Sequence, residues 1–218
     1  MRWGGEKELI PPTKTTFLEK QFIDALAEFV NLGMGKAGVV LNQMLNSHIA
    51  LSAPTIRFID QRELAPVLSQ SPDSFLSAVE MEYRGSMEGA VELVFKTADA
   101  GKLVDCIIGQ ENIQEEGLDS IRSGALCEVG NIVINAVLGT ISNELLLDLE
   151  YTVPVYQEGT VQALVEKENL RKGQIILLIE TQFLIESLEI NGSIVIFLSI
   201  LSYEKLKQAV ISYLGLVP

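Results

Sequence analysis

The chain is poor in the residues that build metal sites, disulfides and sugar-binding clefts. It has one histidine, His48, two cysteines, Cys106 and Cys127, and only 6% aromatic residues. A single histidine without a cysteine cluster argues against a zinc site. In a reducing compartment we expect the cysteines to be buried apolar residues rather than a disulfide. A glycosidase is not expected either, because its paired carboxylates would need aromatic side chains against which sugars pack.

Excess positive charge and long apolar runs are absent as well. The net charge is −13, which argues against nucleic acid or an anionic membrane as a partner, since both are polyanions. A protein with a basic patch is compatible with this charge. The longest apolar run, Ile194–Leu201, is shorter than the roughly 20 residues that span a bilayer, and the N-terminal residues lack a signal-peptide core. We therefore expect a cytosolic protein.

What the sequence does contain is a duplicated polar motif. Each copy has the form Glu-x-x-Asn with a proline 23 residues after the asparagine, and the two copies lie 100 residues apart. They consist of Glu28, Asn31 and Pro54 in the first half, and Glu128, Asn131 and Pro154 in the second. The fixed offset indicates an internal duplication, and the polar residues indicate that the duplicated feature is a site. The prolines are predicted to be structural, because proline at the start of a strand fixes the entry of the chain.

The order of the predicted elements repeats with the motif. Each half reads as a long amphipathic helix, a strand that the proline opens, a hairpin and a closing helix. These long helices, hairpins and closing helices cover 17–46, 75–95 and 98–108 in the first half, and 119–146, 174–198 and 203–214 in the second. The second hairpin is expected to turn near Asn191-Gly192. This order predicts an α+β fold, with two long helices packed on a largely antiparallel sheet.

The domain boundaries follow from the same pattern. Residues 1–15 mix glycine, proline, lysine and threonine without periodicity and are predicted to be a flexible arm. Residues 16–218 are predicted to form a single domain made of two internal repeats, 16–109 and 118–218. The short connection between the repeats favours a shared core over two independent domains.

In the first long helix the polar motif faces away from the apolar side. At about 100° per residue, Asp24, Glu28 and Asn31 fall within roughly 60° of one another. Gly35 continues this row, and so small a residue leaves room for another surface to approach. The apolar stripe consists of Phe22, Leu26, Phe29, Gly33, Ala37, Val40 and Met44. The first motif is therefore predicted to form an outward-facing polar row.

The residue types in the row limit its chemistry. Glutamate and asparagine without a neighbouring serine, cysteine or histidine nucleophile do not make a covalent catalyst. An amide can orient a water molecule, and in phosphoryl transfer a protein contributes mainly positioning and electrostatics. Asn31 and Asn131 could thus deliver an amide into the active site of another protein that holds the metal and the phosphorylated residue. The alternative is that both are structural amides, and that Glu28 and Glu128 are ordinary solvated carboxylates.

Both copies of the motif resemble the signature of a known family. Asp24-x-x-x-Glu28-x-x-Asn31 with Pro54, and the run Asn-Leu-Gly-Met-Gly-Lys-Ala that starts at Asn31, resemble the CheC/CheX/FliY family of chemotaxis phosphatases. The run Glu-Val-Gly-Asn-Ile that starts at Glu128 is similar to the family's Glu-Ile-Gly-Asn-Ile. The resemblance covers nearly the whole chain beyond the arm. CheC is the expected closest match, since CheX-like members have one motif and FliY-like members carry an extra C-terminal switch domain.

The resemblance implies a function, a site and partners. It implies hydrolysis of the aspartyl phosphate on a CheY-like response regulator that itself holds Mg²⁺, so that the chain needs no cofactor of its own. The two asparagines would orient the attacking water, and the two glutamates would dock the regulator's active-site lysine. The implied catalytic residues are Glu28, Asn31, Glu128 and Asn131, and the implied partner-binding residues are Asp24 and Gly35. The alternative is a non-catalytic adaptor that binds a CheD-like or flagellar-switch partner.

The second copy departs from the first at two positions, and one run suggests a different class. Gly124 stands where the first copy has Asp24, and Asn135 replaces Gly35. These differences favour the first site and leave an adaptor role open for the second half. The run from Gly33 to Gly38 matches G-x-G-x-x-G, but a nucleotide site of this kind needs a preceding strand and a βαβ unit, whereas the run lies inside a predicted helix.

Overall fold

A computed structural model of the chain describes residues 14–45, 49–69, 71, 74–108, 118–168, 174–185 and 188–216. Six helices and seven strands occur among these residues. In the first half they are α1 (Lys14–Leu45), β1 (Ile49–Ile59), α2 (Gln61–Leu68), β2 (Phe75–Gly85), β3 (Gly89–Lys96) and α3 (Thr97–Ile108). In the second half they are α4 (Leu118–Glu144), β4 (Leu149–Tyr151), β5 (Val155–Thr160), α5 (Val161–Glu168), β6 (Ile175–Ile185), β7 (Leu188–Leu198) and α6 (Ile200–Tyr213).

The strands form one antiparallel sheet with helices on both faces. The strand order is β1-β6-β7-β3-β2-β4, and β5 also pairs with β2. The larger core lies between one face of the sheet and helices α1, α3, α4 and α6. A smaller core on the other face includes Leu64 of α2 and Val161 of α5. The predicted α+β fold with two long helices on an antiparallel sheet is confirmed, and the layer formed by α2 and α5 is additional to it.

Strand pairing repeats with the same offset as the motif. Thr55 of β1 lies opposite Glu180 of β6, and Val155 of β5 lies opposite Glu80 of β2. The strand that follows each long helix therefore pairs with the hairpin of the other half, and β3 and β7 join the two hairpins at the centre. Two halves that exchange strands in this way share one sheet and one core. The exchange supports the proposal that 16–109 and 118–218 are repeats within a single domain.

The two prolines occupy equivalent irregularities, but the prediction for Pro54 needs a correction. Strand β1 begins at Ile49 rather than after Pro54, and its register shifts between Ser52 and Thr55. Proline has no N–H for the ladder, so a bulge in this edge strand accommodates it. In the second half the ladder is interrupted at the same place, and β5 begins directly after Pro154, as predicted.

Three smaller predictions are wrong. Asn191-Gly192 lies inside β7 and pairs with β6 rather than forming the turn, because the pairing of the two strands continues as far as Ile185 and Leu188. Val40 and Met44, which were predicted to be buried, are exposed. At this end of α1 the side that contains Gly38 lies against Ile49 and Leu51 of β1 instead. Neither cysteine forms a disulfide, but the expected burial is wrong: Cys106 is exposed and Cys127 is only partly buried, because the buried side of α3 consists of Ala100, Leu103 and Val104.

Some predictions fall outside the described residues. His48 and residues 1–13 of the predicted arm lie outside them, whereas Lys14 and Thr15 already belong to α1. Among the described residues one helix, Ser120–Glu144, is long and apolar enough to cross a membrane by length and composition, and half of its most apolar window is buried. Core helices of folded domains pass the same criterion, and α4 contacts α1, α3 and the sheet.

Gly33 sets the distance between the two long helices. A Cβ built at Gly33 would lie 2.7 Å from Val137 Cα and 2.8 Å from the Ala136 carbonyl oxygen. Both atoms are backbone, so neither can rotate away, and the helices would have to separate. The absence of a side chain at this position is what lets α1 and α4 approach so closely.

Replacing Gly33 with alanine is therefore expected to destabilise the protein, although alanine is the better helix former. We expect a loss of about 1–3 kcal/mol in the free energy of unfolding, from overpacking against backbone, measured by urea denaturation. Gly139 of α4 has nothing within 4 Å of a built Cβ, so Gly139→Ala is the matched control and should gain up to about 1 kcal/mol. A gain in both variants would show that α1 and α4 are not closely packed at Gly33.

Candidate functional site

The first polar row lies on the outward side of α1. Asp24, Glu28, Asn31 and Gly35 are all exposed, while Leu26, on the opposite side, is completely buried. The spacings of four, three and four residues place these positions one above another on the helix surface. A Cβ built at Gly35 would meet nothing within 4 Å. The structure therefore places the first set of predicted site residues together, with open space beside Asn31.

The second polar row, on α4, has a different form. Glu128 is exposed, whereas Asn131 and Asn135 are partly buried. Asn135 Nδ2 donates a hydrogen bond of 2.6 Å to Asn131 Oδ1. Gly124, at the position equivalent to Asp24, is exposed and has open space where a side chain would be. The second row thus keeps the Glu–Asn pair but has no carboxylate at the position of Asp24. Asn135 occupies the space beside Asn131 that is open beside Asn31.

The polar groups of the first row are available to a partner. Within the described residues, the amide of Asn31 makes no hydrogen bond and the carboxylates of Asp24, Glu28 and Glu128 join no ion pair within 4.0 Å. A structural asparagine would be hydrogen-bonded to a neighbouring segment, as Asn42 is: its Oδ1 accepts a hydrogen bond from the backbone N–H of Ile49, the first residue of β1. The contrast between Asn42 and Asn31 argues against a structural role for Asn31.

The two rows are carried by helices that contact each other directly. Beside the Gly33 contact, Lys36 Nζ of α1 donates to Thr140 Oγ1 of α4 at 3.2 Å. Both helices also contact the sheet. The rows are therefore presented on a common helical layer, with separation set by close packing rather than by loops.

Two exposed apolar residues beside the first row were not predicted as part of a site. Leu32 is 48% exposed and Val39 is 57% exposed. At 100° per residue both lie within roughly 100° of Asn31, on the Glu28 side of the row. An apolar pair spaced by seven residues next to a polar row is a signal that the sequence itself contains. Their equivalents in α4 are Ile132, which is partly buried, and Gly139.

Pro154 has a structural contact rather than a chemical one. Its carbonyl oxygen accepts a hydrogen bond from the Cys127 thiol of α4, with 3.9 Å between Sγ and O. This contact connects the start of β5 to α4 beside Glu128. Partial burial raises the pKa of the Cys127 thiol, so the thiol is kept protonated at neutral pH. Within the described parts of the chain, no group of three or more His, Cys, Asp and Glu side chains is arranged to hold a metal ion.

Comparison with known proteins relates the chain to chemotaxis and flagellar-switch proteins. No protein-family model matches it. It is 22% identical over 160 residues to the CheY-P phosphatase CheC of Bacillus subtilis, covering 72% of this chain and 76% of CheC. It is 22% identical over 132 residues to the flagellar motor switch phosphatase FliY of the same organism, covering 60% of this chain and 34% of FliY.

Solved structures share the fold. FliY from Thermotoga maritima has a TM-score of 0.66 at 19% identity, covering 88% of this chain and 97% of that one. CheX from Borrelia burgdorferi, solved with CheY, BeF3 and Mg, has a TM-score of 0.52 at 18% identity, covering 79% and 99%. FliM from H. pylori, solved with FliG, has a TM-score of 0.61 at 11% identity, covering 87% and 98%.

The architecture is thus the α+β fold that CheX, FliY and FliM share. Taken with the sequence relatives and the duplicated motif, it supports the resemblance of the chain to the CheC/CheX/FliY family. This confirms the resemblance on which the sequence-based hypothesis depends. The identity to CheC and to FliY is the same, 22%, so a closer likeness to CheC stays a prediction.

Proposed function

We propose that the protein hydrolyses the aspartyl phosphate of a CheY-like response regulator in the cytosol. The observation that carries the proposal is the pair of Glu–Asn rows, repeated at one offset and displayed on two packed helices. The names of the relatives support it, since one is a CheY-P phosphatase and the other a flagellar motor switch phosphatase. A CheX of the same fold was solved together with CheY, BeF3 and Mg.

In the proposed reaction the chain positions a water molecule and forms no covalent bond. The water oxygen attacks phosphorus, the bond from phosphorus to the aspartate oxygen breaks, and inorganic phosphate leaves with release of a proton to solvent. Asn31 or Asn131 would accept one hydrogen of the water at Oδ1, so that a lone pair points at phosphorus. The Mg²⁺ would belong to the regulator.

The remaining residues of the row would dock the regulator. Glu28 and Glu128 each lie one helical turn before an asparagine, close enough that a lysine paired with the glutamate would lie beside the amide. In the first site Asp24 extends the negative charge, and Gly35 lets the regulator's backbone come near. Leu32 and Val39 would add apolar contact area beside the charged pair.

The glutamates are expected to act mainly on binding. Glu28→Gln with Glu128→Gln should raise KM several-fold and lower its dependence on salt, because an exposed ion pair is screened by salt and steers association. The change in kcat should be smaller than the change in KM. Steady-state dephosphorylation at two salt concentrations measures both. Glu204→Gln, which removes one exposed negative charge on α6, is the control for each of the two glutamate substitutions made singly. Equal effects of Glu204→Gln would reduce the result to net charge.

The direct test is the decay of a phosphorylated CheY-like regulator from the same organism, with and without the protein. Acceleration by catalytic amounts of the protein is expected, with the rate proportional to its concentration. Regulators are phosphorylated with a small-molecule donor, and the released inorganic phosphate is measured. If no regulator is dephosphorylated faster, in the presence or absence of a CheD-like protein, the phosphatase proposal is wrong.

A non-catalytic adaptor is the second candidate. FliM, which shares the fold, was solved in complex with FliG and with SpeE, and the second row of this chain lacks the carboxylate that the first row has in Asp24. An adaptor would bind a CheD-like or flagellar-switch protein through these helices without accelerating decay. Calorimetric titration with each purified partner, alongside the decay assay, separates binding without turnover from the phosphatase.

A further inference from the structure

The two candidate sites differ most at the residue that follows each asparagine by one turn. In α1 this residue is Gly35, and the space above it is open. In α4 it is Asn135, whose Nδ2 donates to Asn131 Oδ1 at 2.6 Å. The equivalent amide of Asn31 makes no hydrogen bond within the described residues. The two equivalent helices therefore carry one asparagine amide without a hydrogen bond among the described residues, in Asn31, and one that is hydrogen-bonded, in Asn131.

We infer that Asn135 is a positioning residue that holds the Asn131 amide against the surface of α4 and makes the second site the slower of the two. This inference rests on the proposed function. It adds which site carries the turnover and which side chain decides it. Glu128 and Asn131 match their counterparts in type, so the different state of the Asn131 amide lies in its neighbour Asn135, whereas Gly124 in place of Asp24 is a separate difference in charge.

The oxygen of the amide is the atom that matters. An oriented water needs an acceptor for one of its hydrogens, and Asn131 Oδ1 already accepts a short bond from Asn135. The oxygen has a second lone pair, but the Asn135 side chain occupies the side of the amide that is open above Gly35. A partner that approaches the second site must displace the Asn135 side chain. Otherwise the water has to bind Asn131 Oδ1 at its second lone pair, from which its attack on phosphorus is less well aligned. Both effects lower kcat at the second site.

The burial of the two asparagines agrees with this difference. Asn31 is exposed, whereas Asn131 and Asn135 are both partly buried. An amide turned along the helix toward residue i+4 is covered by that residue, and one that points outward is not. The lower exposure of Asn131 is the expected consequence of the hydrogen bond, whereas Glu128, one turn earlier, is exposed like Glu28.

Reciprocal substitutions in single-site backgrounds test the inference. With Asn31→Ala present, only the second site works, and adding Asn135→Ala should raise its kcat by about fivefold, the effect of one ordinary hydrogen bond. With Asn131→Ala present, only the first site works, and adding Gly35→Asn should lower its kcat by a similar factor. The open space at Gly35 admits the new side chain without a clash, so this variant is expected to fold.

Two further comparisons separate the effect of the hydrogen bond on the amide from the effect of less space for the regulator beside the asparagine. Gly35→Ala adds a side chain that cannot donate, so any rise in KM that it shares with Gly35→Asn reports reduced room. The fall in kcat should be specific to asparagine. In the second site, Asn135→Asp keeps the size of the side chain but cannot donate to Asn131 Oδ1. It should therefore raise second-site kcat, as Asn135→Ala does.

The outcomes are distinct. A rise in second-site kcat with Asn135→Ala, and a fall in first-site kcat with Gly35→Asn, support the inference. If the wild type accelerates decay but Asn135→Ala leaves second-site kcat unchanged or lowers it, the inference is wrong while the proposed function stands. If the wild type accelerates the decay of no regulator, the proposed function and this inference fall together.

Discussion

Replacing Asn31 and Asn131 together with alanine is expected to return the decay of the phosphorylated regulator to its intrinsic rate. The two amides are the only groups proposed to orient the water, so no catalytic contribution should remain. Asn31 is exposed, and Asn131 makes its hydrogen bond to a neighbour on the same helix. Because neither amide bonds to a distant part of the chain among the described residues, the double variant should keep its fold and its urea midpoint.

The single variants rank the two sites. Asn31→Ala should remove most of the activity and Asn131→Ala the lesser part, since the amide of the first site is free. A matched control is Gln43→Ala with Asn143→Ala, which removes two exposed amides at equivalent positions of α1 and α4, away from the rows. Full activity in the double variant at Asn31 and Asn131 would exclude the water-orienting mechanism. Equal loss in the control would point to a general effect on the helices.

Replacing Phe22 with alanine is expected to cost the most stability of any substitution considered. Phe22 is 2% exposed, stacks on Phe58 at 5.7 Å between ring centroids, and meets the edge of Tyr203 at 6.1 Å. These three rings join α1, β1 and α6. Removing a buried phenylalanine typically costs about 3–5 kcal/mol, through lost burial and the cavity left behind. Urea denaturation measures the loss.

The second repeat offers a matched control for Phe22. One hundred residues on, the equivalent position is Arg122, which is exposed and lies 3.6 Å from Asp105. Together with Glu158, the equivalent of Phe58, Arg122 lines a cavity of about 300 Å³ where the first repeat has stacked rings. Arg122→Ala should change stability by about 1 kcal/mol or less, since an exposed ion pair contributes little. Similar losses for Phe22→Ala and Arg122→Ala would show that the aromatic cluster does not hold α1 in place.

The long helices and hairpins were predictable because their signals are local. The helical period placed α1 within three residues at its start and one at its end, and the strand-like runs of β2 and β3, joined by the glycine-containing segment Arg84–Gly89, predicted their hairpin. The short helix α5 was not identified, because the mixed charges around 166–172 gave no clear apolar face. The wrong turn at Asn191-Gly192 has a similar cause. An Asn-Gly pair favours a turn locally, but pairing of β7 with β6 and β3 outweighs that preference.

The candidate site was predictable in composition and only partly in form. The outward direction of Asp24, Glu28 and Asn31 follows from helical geometry and from the burial of the opposite side. The sequence also showed that Asn135 replaces Gly35, and hence that the second site is more crowded. It did not show that the two amides bond to each other, because that depends on the side-chain rotamers that the packed helix allows.

The sequence by itself determined the duplication, the order of elements and the faces of the long helices, since these depend on offsets and periods along one stretch of chain. Only the tertiary structure decided that each half lends a strand to the other half's hairpin, that Gly33 brings α1 against α4, and that one asparagine is free while the other is tied. These features depend on contacts between residues far apart in sequence, or on rotamers chosen by packing. A pattern within a single segment of the sequence predicts neither such contacts nor such rotamers.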